Sequence, residues 1–272
     1  MIEIVMNERE WVEKVIREES IGKKPTVVIG RMAKYYRAQG LKRSDIREKI
    51  EGFMLKCDPT INVVRWRDTI DTMIKGAAKY PLIELDKITV TVNEMEAIKR
   101  LDGMLKQRLM FALVCLAKYG NAVRPNNGGW VNQESKDIFS LANIALTSKR
   151  QALLINDLWQ AGYVGYSKIV DNVNLCVKIL DDESEPAIEI TDFRNLGNQF
   201  RAYTGNGGYI SCGNCGILIG LDRIKSRSDY DCTVFLLYKA VSLLVVNSAN
   251  RAYLRANSAL AVFQHKAVIG VN

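Results

Sequence analysis

Along the first eighty residues the apolar positions recur every three or four, and the runs break at residues that start or stop helices. Ile2, Ile4 and Met6 alternate briefly. Asn7 can then cap a helix with Glu10 three residues on, and Trp11, Val12, Val15 and Ile16 follow at helical spacing to an end near Gly22. Pro25 suits a first helical position, Val28, Ile29, Met32 and Tyr35/Tyr36 continue the face, and Gly40 stops it. Ser44 is placed to cap Asp45 to Cys57, with Ile46, Ile50, Phe53 and Met54 as the apolar side and Asp58-Pro59 as the end. A fourth helix starts at Asn62, carries Val63, Trp66, Ile70, Met73 and Ile74, and stops before Pro81. The pattern predicts a helical domain over residues 1–81, its aromatic and methionine stripes forming the core. A connector over 82–102 follows, in which Leu82 to Val90 reads as a small hairpin or as a single strand and loop.

The middle of the chain changes rhythm. An apolar helix from Met104 to Tyr119 carries Leu105, Leu109, Leu113, Leu116 and Ala117 on one side and ends at Gly120. After a loop to Gly129, Trp130-Val131 reads as a short strand, Glu134 to Leu141 as a short helix, and Ala142 to Leu146 as a tight connection. Thr147 caps a helix from Ser148 to Ala161 that Gly162 terminates. Tyr163 to Val170 and Val173 to Leu180 then read as strands about an Asp171-Asn172 turn. In the second strand Val173, Leu175, Val177 and Ile179 alternate with Asn174, Cys176 and Lys178, which predicts one buried face and one wet face.

Helix, strand, helix, helix, hairpin is the order of a winged helix-turn-helix, here over residues 103–180, whose third helix enters the DNA major groove and whose hairpin is the wing. On that helix Leu154, Ile155, Leu158 and Ala161 can face the core, leaving Lys149, Ala152, Asn156 and Gln160 on the other side. Lys149 and Arg150 lie in the first turn, where side chains reach bases or phosphates. Asn156 and Gln160 are residue types that pair with adenine. Ser148 and the wing residues Ser167, Lys168 and Asn174 suit phosphate oxygens. The same residues also suit an ordinary solvated face, and winged helices dock proteins as well as DNA.

An acidic run, Asp181-Asp182-Glu183-Ser184-Glu185-Pro186, then reads as a boundary and opens a linker over 181–205, with a strand at Ala187 to Ile190 and a short helix from Asn195 to Tyr203 ending at Gly205. In the last segment, 206–272, Cys212-Gly213-Asn214-Cys215 has the spacing of a zinc knuckle. A ribbon needs a second pair roughly 15–20 residues on, where Cys232 stands by itself, and His265 is distant. The segment therefore reads either as a holder of structural zinc through Cys212, Cys215 and Cys232 or as a knuckle that has lost its metal. Beyond Asp231 acidic residues cease. Val234, Leu237, Val241, Leu244 and Val245 fit one helical face, and Ala252 to Ala261 a second helix. This tail is read as an association surface, a packed extension of the ribbon, or sequence foreign to the rest. The fold class so predicted is α+β, mostly α: an N-terminal helical bundle, a central winged helix and a degenerate zinc-ribbon-like segment with a helical tail.

Composition narrows the function classes. A 272-residue chain that is 48% hydrophobic is not disordered throughout. Its 38 Lys and Arg against 30 Asp and Glu leave +8, which favours an anionic partner. The excess is uneven: residues 1–102 hold 20 basic and 17 acidic residues, whereas 103–180 hold 9 and 4. The apolar stretch from Thr233 to Val246 contains Lys239 and falls short of the roughly 20 residues a bilayer crossing needs. The N-terminus, with Glu8, Arg9 and Glu10, lacks the pattern of a secretory leader, so the expectation is a cytoplasmic protein with no membrane partner. Scattered Cys57, Cys115, Cys176 and Cys232 do not make a disulfide framework. One histidine, and neither a phosphate-binding GxxxxGK[ST] loop nor an HExxH helix, predict a protein that is not an enzyme.

Four blocks carry a resemblance: Leu116-Ala117-Lys118-Tyr119, Asn127-Gly128-Gly129-Trp130-Val131, Ile138-Phe139-Ser140-Leu141-Ala142-Asn143-Ile144, and Ile190-Thr191-Asp192-Phe193-Arg194-Asn195-Leu196-Gly197. They resemble a group of uncharacterised bacteriophage and prophage proteins that combine a helical N-terminal region, a winged-helix-like centre and a C-terminal Cys-x-x-Cys ribbon. The resemblance spans residues 1 to 220 and implies a phage-encoded protein in a bacterial host cytoplasm, without enzymatic activity. The leading expectation is a phage DNA-binding protein, a transcription regulator or replication accessory factor, with duplex DNA as partner and a homodimer as an open arrangement. The alternative is an inhibitor of a host defence or transcription complex, in the manner of anti-CRISPR proteins. A metal-dependent nuclease comes third, since the carboxylate pairs Asp68/Asp71 and Glu94/Glu96 sit at a spacing typical of solvated faces.

Overall fold

The computed structural model describes residues 4–124, 126–168, 174–211 and 218–220. Among these residues the chain is mixed α/β, with nine α-helices and three small sheets. It divides into two compact units, residues 1–197 and 198–272. No helix among the described residues is long and apolar enough to cross a membrane.

The helical N-terminal region follows its punctuation closely. α1 (Glu8–Glu18) opens on Asn7, whose side-chain oxygen accepts from the Glu10 amide at 3.1 Å. α2 (Pro25–Ala38) begins on its proline, and Gly40 follows at φ +81°, a conformation that glycine takes without a Cβ clash. α3 (Arg43–Cys57) begins earlier than expected, with Lys42 at the capping position. Ser44 is not the cap: it lies inside the first turn, and its hydroxyl donates to Asp45 at 2.8 Å. A 3₁₀ turn at Val63–Trp66, capped by the Asn62 side chain, leads into α4 (Arg67–Ala77). Val12, Ile29, Met32, Ile46, Ile50, Met54, Ile70 and Ile74 interlock in one core. Each such burial contributes about 1.5–3 kcal/mol relative to exposure.

The connector is a strand and a helix. β1 (Ile88–Thr91) passes directly into α5 (Val92–Lys99), and no hairpin forms within 82–90. Next, α6 (Met104–Val123) runs through Gly120 instead of stopping there. The glycine serves close approach, because a Cβ at this point would stand 2.7 Å from the Asn127 amide nitrogen of the loop folded against it. Every residue from Leu109 to Ala117 is buried, so α6 is apolar all round and central, whereas Leu105, expected on the core side, is exposed. β1 and α5 pack on α6, and so do α7 (Ser135–Leu141), α8 (Ser148–Gln160), β2 (Trp130–Val131) and β4 (Leu175–Val177).

Beside α6 lies a three-stranded antiparallel sheet in the order β2-β4-β3, where β3 is Val164–Tyr166. Its registers pair Val131 with Leu175, Val164 with Val177, and Tyr166 with Leu175. As the central strand, β4 buries Leu175, Cys176 and Val177 alike. The expected wet position at Cys176 is therefore corrected: the strand is covered on both faces, and the Cys176 thiol donates to the Gly128 carbonyl at 3.5 Å. The Asp171-Asn172 turn and Val173 lie outside the described residues. β5 (Pro186–Ile190) then returns to pair antiparallel with β1, matching Ile88 to Ile190 and Val90 to Ile188. This long-range pairing takes up the strand that sequence spacing offered to a local hairpin.

α9 (Leu196–Tyr203) ends before Gly205 at φ +72°. In the second unit β6 (Tyr209–Ser211) and β7 (Leu218–Gly220) pair antiparallel, Asn198 donates to the Leu218 carbonyl at 3.0 Å, and Arg201 stacks 5.5 Å from the Tyr209 ring centroid. Cys212, Cys215, Cys232, His265 and the apolar tail lie outside the described residues.

Candidate nucleic-acid interface

α8 buries Ile155 and Leu158 and turns its opposite side outward. Lys149, Arg150, Ala152, Asn156 and Gln160 are all exposed there, as the helical period demands, and Ser148 is exposed as the first residue of the helix. Among the described residues no side-chain hydrogen bond engages Asn156 or Gln160. Thr147 occupies the capping position in extended conformation, but its side chain makes no capping hydrogen bond. The first turn is held instead by Gln151, whose side chain donates to the Leu146 carbonyl at 3.0 Å. Ala161, expected on the core side, is exposed.

Three apolar side chains share this surface. Leu153 is 56% exposed, Trp159 44% and Tyr166 42%. The Trp159 and Tyr166 rings meet at 5.7 Å with a 57° tilt, joining the last turn of α8 to β3. Ser167 and Lys168 follow Tyr166 immediately, and the Ser167 amide donates to the Asn174 carbonyl at 3.3 Å, which keeps the base of the hairpin closed. Lys168 is exposed, and Ser167 and Asn174 are half-buried. Lys178 is exposed as well, with its stem beside Gly165, where an added Cβ would stand 3.0 Å from Cε. The acidic residue of α8, Asp157, is taken up by Lys106 at 3.1 Å. Lys149, Arg150, Lys168 and Lys178 are all exposed, and among the described residues no acidic side chain pairs with them.

Two polar clusters that sequence reasoning missed are built on α6, and the first of them braces the entry to α8. At the α7–α8 connection, Arg108 of α6 donates from Nε and Nη2 to the Ala142 carbonyl at 3.1 and 2.8 Å, and from Nη2 to the Asn143 carbonyl. Asn143 sits at φ +56°, and its amide donates to Asn195 at 2.8 Å. Gly197 approaches so closely that a Cβ there would run into the Ala142 carbonyl oxygen. The Asn195-Leu196-Gly197 block therefore braces the turn between the two helices.

The second cluster lies toward the C-terminal end of α6. Lys118 is 3.1 Å from Glu94, whose side chain is fully buried, 2.9 Å from the Asp182 carboxylate, and donates to the Asp181 carbonyl at 2.9 Å. Glu94 also accepts from the Thr91 amide at 2.8 Å, half of a capping box, and from the Asp181 amide at 2.9 Å. The acidic stretch from Asp181 to Ser184 is thus bound to the core of the first unit. The Asp181 carboxylate, bonded by the Ser184 hydroxyl and the Glu183 amide, is held down at about 2. The spacing Thr91-Val92-Asn93-Glu94 was the available signal for this cluster.

These contacts bear on the nuclease expectation. Glu94 is spent on Lys118, Glu96 pairs with Arg100 at 3.6 Å, and Asp71 is clamped by Arg43 and Arg47 at 2.9 and 2.5 Å. No group of three or more potential metal ligands occurs among the described residues, and Cys57, Cys115 and Cys176 are free thiols. Burial pushes the Cys115 thiol far above its usual range, which keeps it protonated. The zinc expectation rests on Cys212, Cys215 and Cys232, outside the described residues. No family model, curated protein or solved structure matches this chain.

Proposed function

We propose that residues 103–180 form a winged helix-turn-helix that binds duplex DNA, and that the chain is a phage-encoded regulator or replication accessory factor of the host cytoplasm. The observation that carries this reading is the helix-strand-helix-helix-strand-strand order with sheet order β2-β4-β3, which leaves α8 facing outward. On that face, Lys149 and Arg150 supply charge at the first turn, Asn156 and Gln160 supply amides along the groove, and Lys168 supplies a wing contact to phosphate. Arg108 and the Asn195–Gly197 brace fix the angle between α7 and α8, so the reading helix is preorganised.

The test is fluorescence-anisotropy binding to a mixed duplex pool at two salt concentrations, on protein stripped of nucleic acid. Affinity should fall steeply with salt as neutralised phosphates release counterions. Wild-type affinity in a Lys149→Ala/Arg150→Ala double variant would refute the placement. A second reading, a phage inhibitor docking on a host complex, is favoured by the exposed Leu153, Trp159 and Tyr166. It predicts a host protein retained through high-salt washes and lost in Trp159→Ala.

A further inference from the structure

We propose that α8 selects A·T base pairs, with Leu153 packing on a thymine methyl while Asn156 and Gln160 pair with adenine. The inference rests on the DNA-binding reading above and specifies the ligand of that surface. At 3.6 residues per turn Lys149, Leu153, Asn156 and Gln160 fall on one stripe, with Ala152 alongside, and all five are exposed. From Leu153 to Gln160 the stripe covers about 10 Å along the helix axis, the height of about three stacked base pairs. Charge complementarity names the occupant. Lys149 and Arg150 are exposed in the first turn of the helix and Lys168 and Lys178 on the adjoining hairpin, while Asp157, the acidic residue of α8, is already paired with Lys106. A polyanion fits this field.

The chemistry of the stripe then decides among base pairs. A primary amide offers one donor and one acceptor, matching the N7 acceptor and N6 donor that adenine presents together in the major groove. Guanine presents two acceptors there and would leave each amide oxygen facing another acceptor. Leucine offers no polar atom. The one apolar group on any major-groove edge is the thymine C5 methyl, so a leucine followed by two amides along the stripe matches an A·T run and meets nothing apolar on G·C pairs. Lys149, at the start of the stripe, is left for phosphate or for a bordering guanine.

The experiment uses the full chain and three fluorescein-labelled duplexes of equal length: alternating A·T, alternating A·U and alternating G·C. The A·U duplex keeps every hydrogen-bonding group of A·T and lacks only the methyl. The A·T duplex should bind at least about fivefold tighter than G·C, the lower bound for one discriminating contact. Replacing thymine by uracil should weaken wild-type binding about fourfold, the value of one buried methyl. In Leu153→Ala the A·T and A·U duplexes should bind equally. In Asn156→Ala/Gln160→Ala the preference over G·C should vanish while salt-dependent binding persists. These substitutions are on the exposed face, and unchanged thermal unfolding verifies that the variants fold. Steep salt dependence with equal affinity for all three duplexes would overturn the A·T assignment and leave the DNA-binding reading intact. No binding to any duplex at low salt would overturn both.

Discussion

The cluster around Lys118 and the outer face of α8 are both polar, both contain lysine, and were both drawn from the same stretch of sequence, yet they are opposite kinds of surface. Lys118 is spent: Glu94, Asp182 and the Asp181 carbonyl take up its ammonium, and Glu94 in turn binds two backbone amides. Lys149, Asn156 and Gln160 are exposed, and among the described residues no hydrogen bond consumes the two amides. A buried ion is tolerated only when its partners are complete, so such a cluster is structural and has no capacity left for a ligand. Open amides beside exposed lysine and arginine side chains retain that capacity. Residue type alone does not separate binding from support, whereas saturation does.

The sharpest way to break this contrast is to unsaturate the buried cluster. Lys118→Met leaves Glu94 charged and unpaired in the interior, and should lower stability by about 3–5 kcal/mol in urea unfolding. The double variant Lys118→Met/Glu94→Gln should recover most of that loss, because it removes both charges. A double variant as unstable as the single one would show that the pair is not what Glu94 requires. Next in size, Gly197→Ala should lose about 1–3 kcal/mol, since its methyl would collide with the Ala142 carbonyl and press on Arg108. Gly103→Ala makes a useful counterpart: there the added methyl meets nothing within 4 Å, and its effect comes only from the φ of +87°.

How much of this was legible beforehand follows the distance over which each feature is decided. Asn7, Pro25, Gly40, Asn62 and Gly162 punctuate the chain within a few residues, and the helices they bound appear at those places. Gly120 and Cys176 misled because their settings are tertiary, and Ser44 because the helix starts one residue before it. Lys42 takes the capping position, the 121–129 loop folds onto Gly120, and the sheet covers both faces of Cys176. The partner of β1 lies about a hundred residues away, and no local rule selects it over a hairpin. On α8 the amides were readable from periodicity. Leu153 lies on the same stripe, three and seven residues before them, and could have been placed with them. The Trp159–Tyr166 contact depends on how β3 packs against α8, which spacing does not encode.

A smaller effect tests the open side. Lys149→Ala/Arg150→Ala should change stability by less than about 0.5 kcal/mol, because both side chains are exposed and pair with no acid among the described residues. The same pair should reduce the slope of log affinity against log salt by about 2, one near-unit step for each phosphate no longer neutralised. A marked loss of stability together with an unchanged slope would reverse the comparison, making the α8 cations structural and the surface not a phosphate binder.

The smallest effect comes from the rim of the saturated cluster, at Asp181. Its carboxylate is held at about 2 against an ordinary 3.8, chiefly by the Ser184 hydroxyl and the Glu183 amide. The folded state therefore binds this proton less readily than the unfolded chain. The resulting stabilisation is present above pH 4 and is lost as pH falls from 4 through 2. Asp181→Asn should flatten the acid limb of stability over that window while changing little at pH 7, beyond the loss of charge-assisted hydrogen bonds. Because Asp181 is solvent-accessible, the change should be a modest shift in the acid midpoint, read by circular dichroism during acid titration. Ser184→Ala separates the causes. It removes the first of the two hydrogen bonds, raises the carboxyl toward its ordinary value, and should give part of the same flattening with the charge still in place. If Ser184→Ala leaves the acid limb untouched while Asp181→Asn flattens it, net charge near Lys118, and not the hydrogen-bonded geometry of the 181–184 turn, sets the acid response.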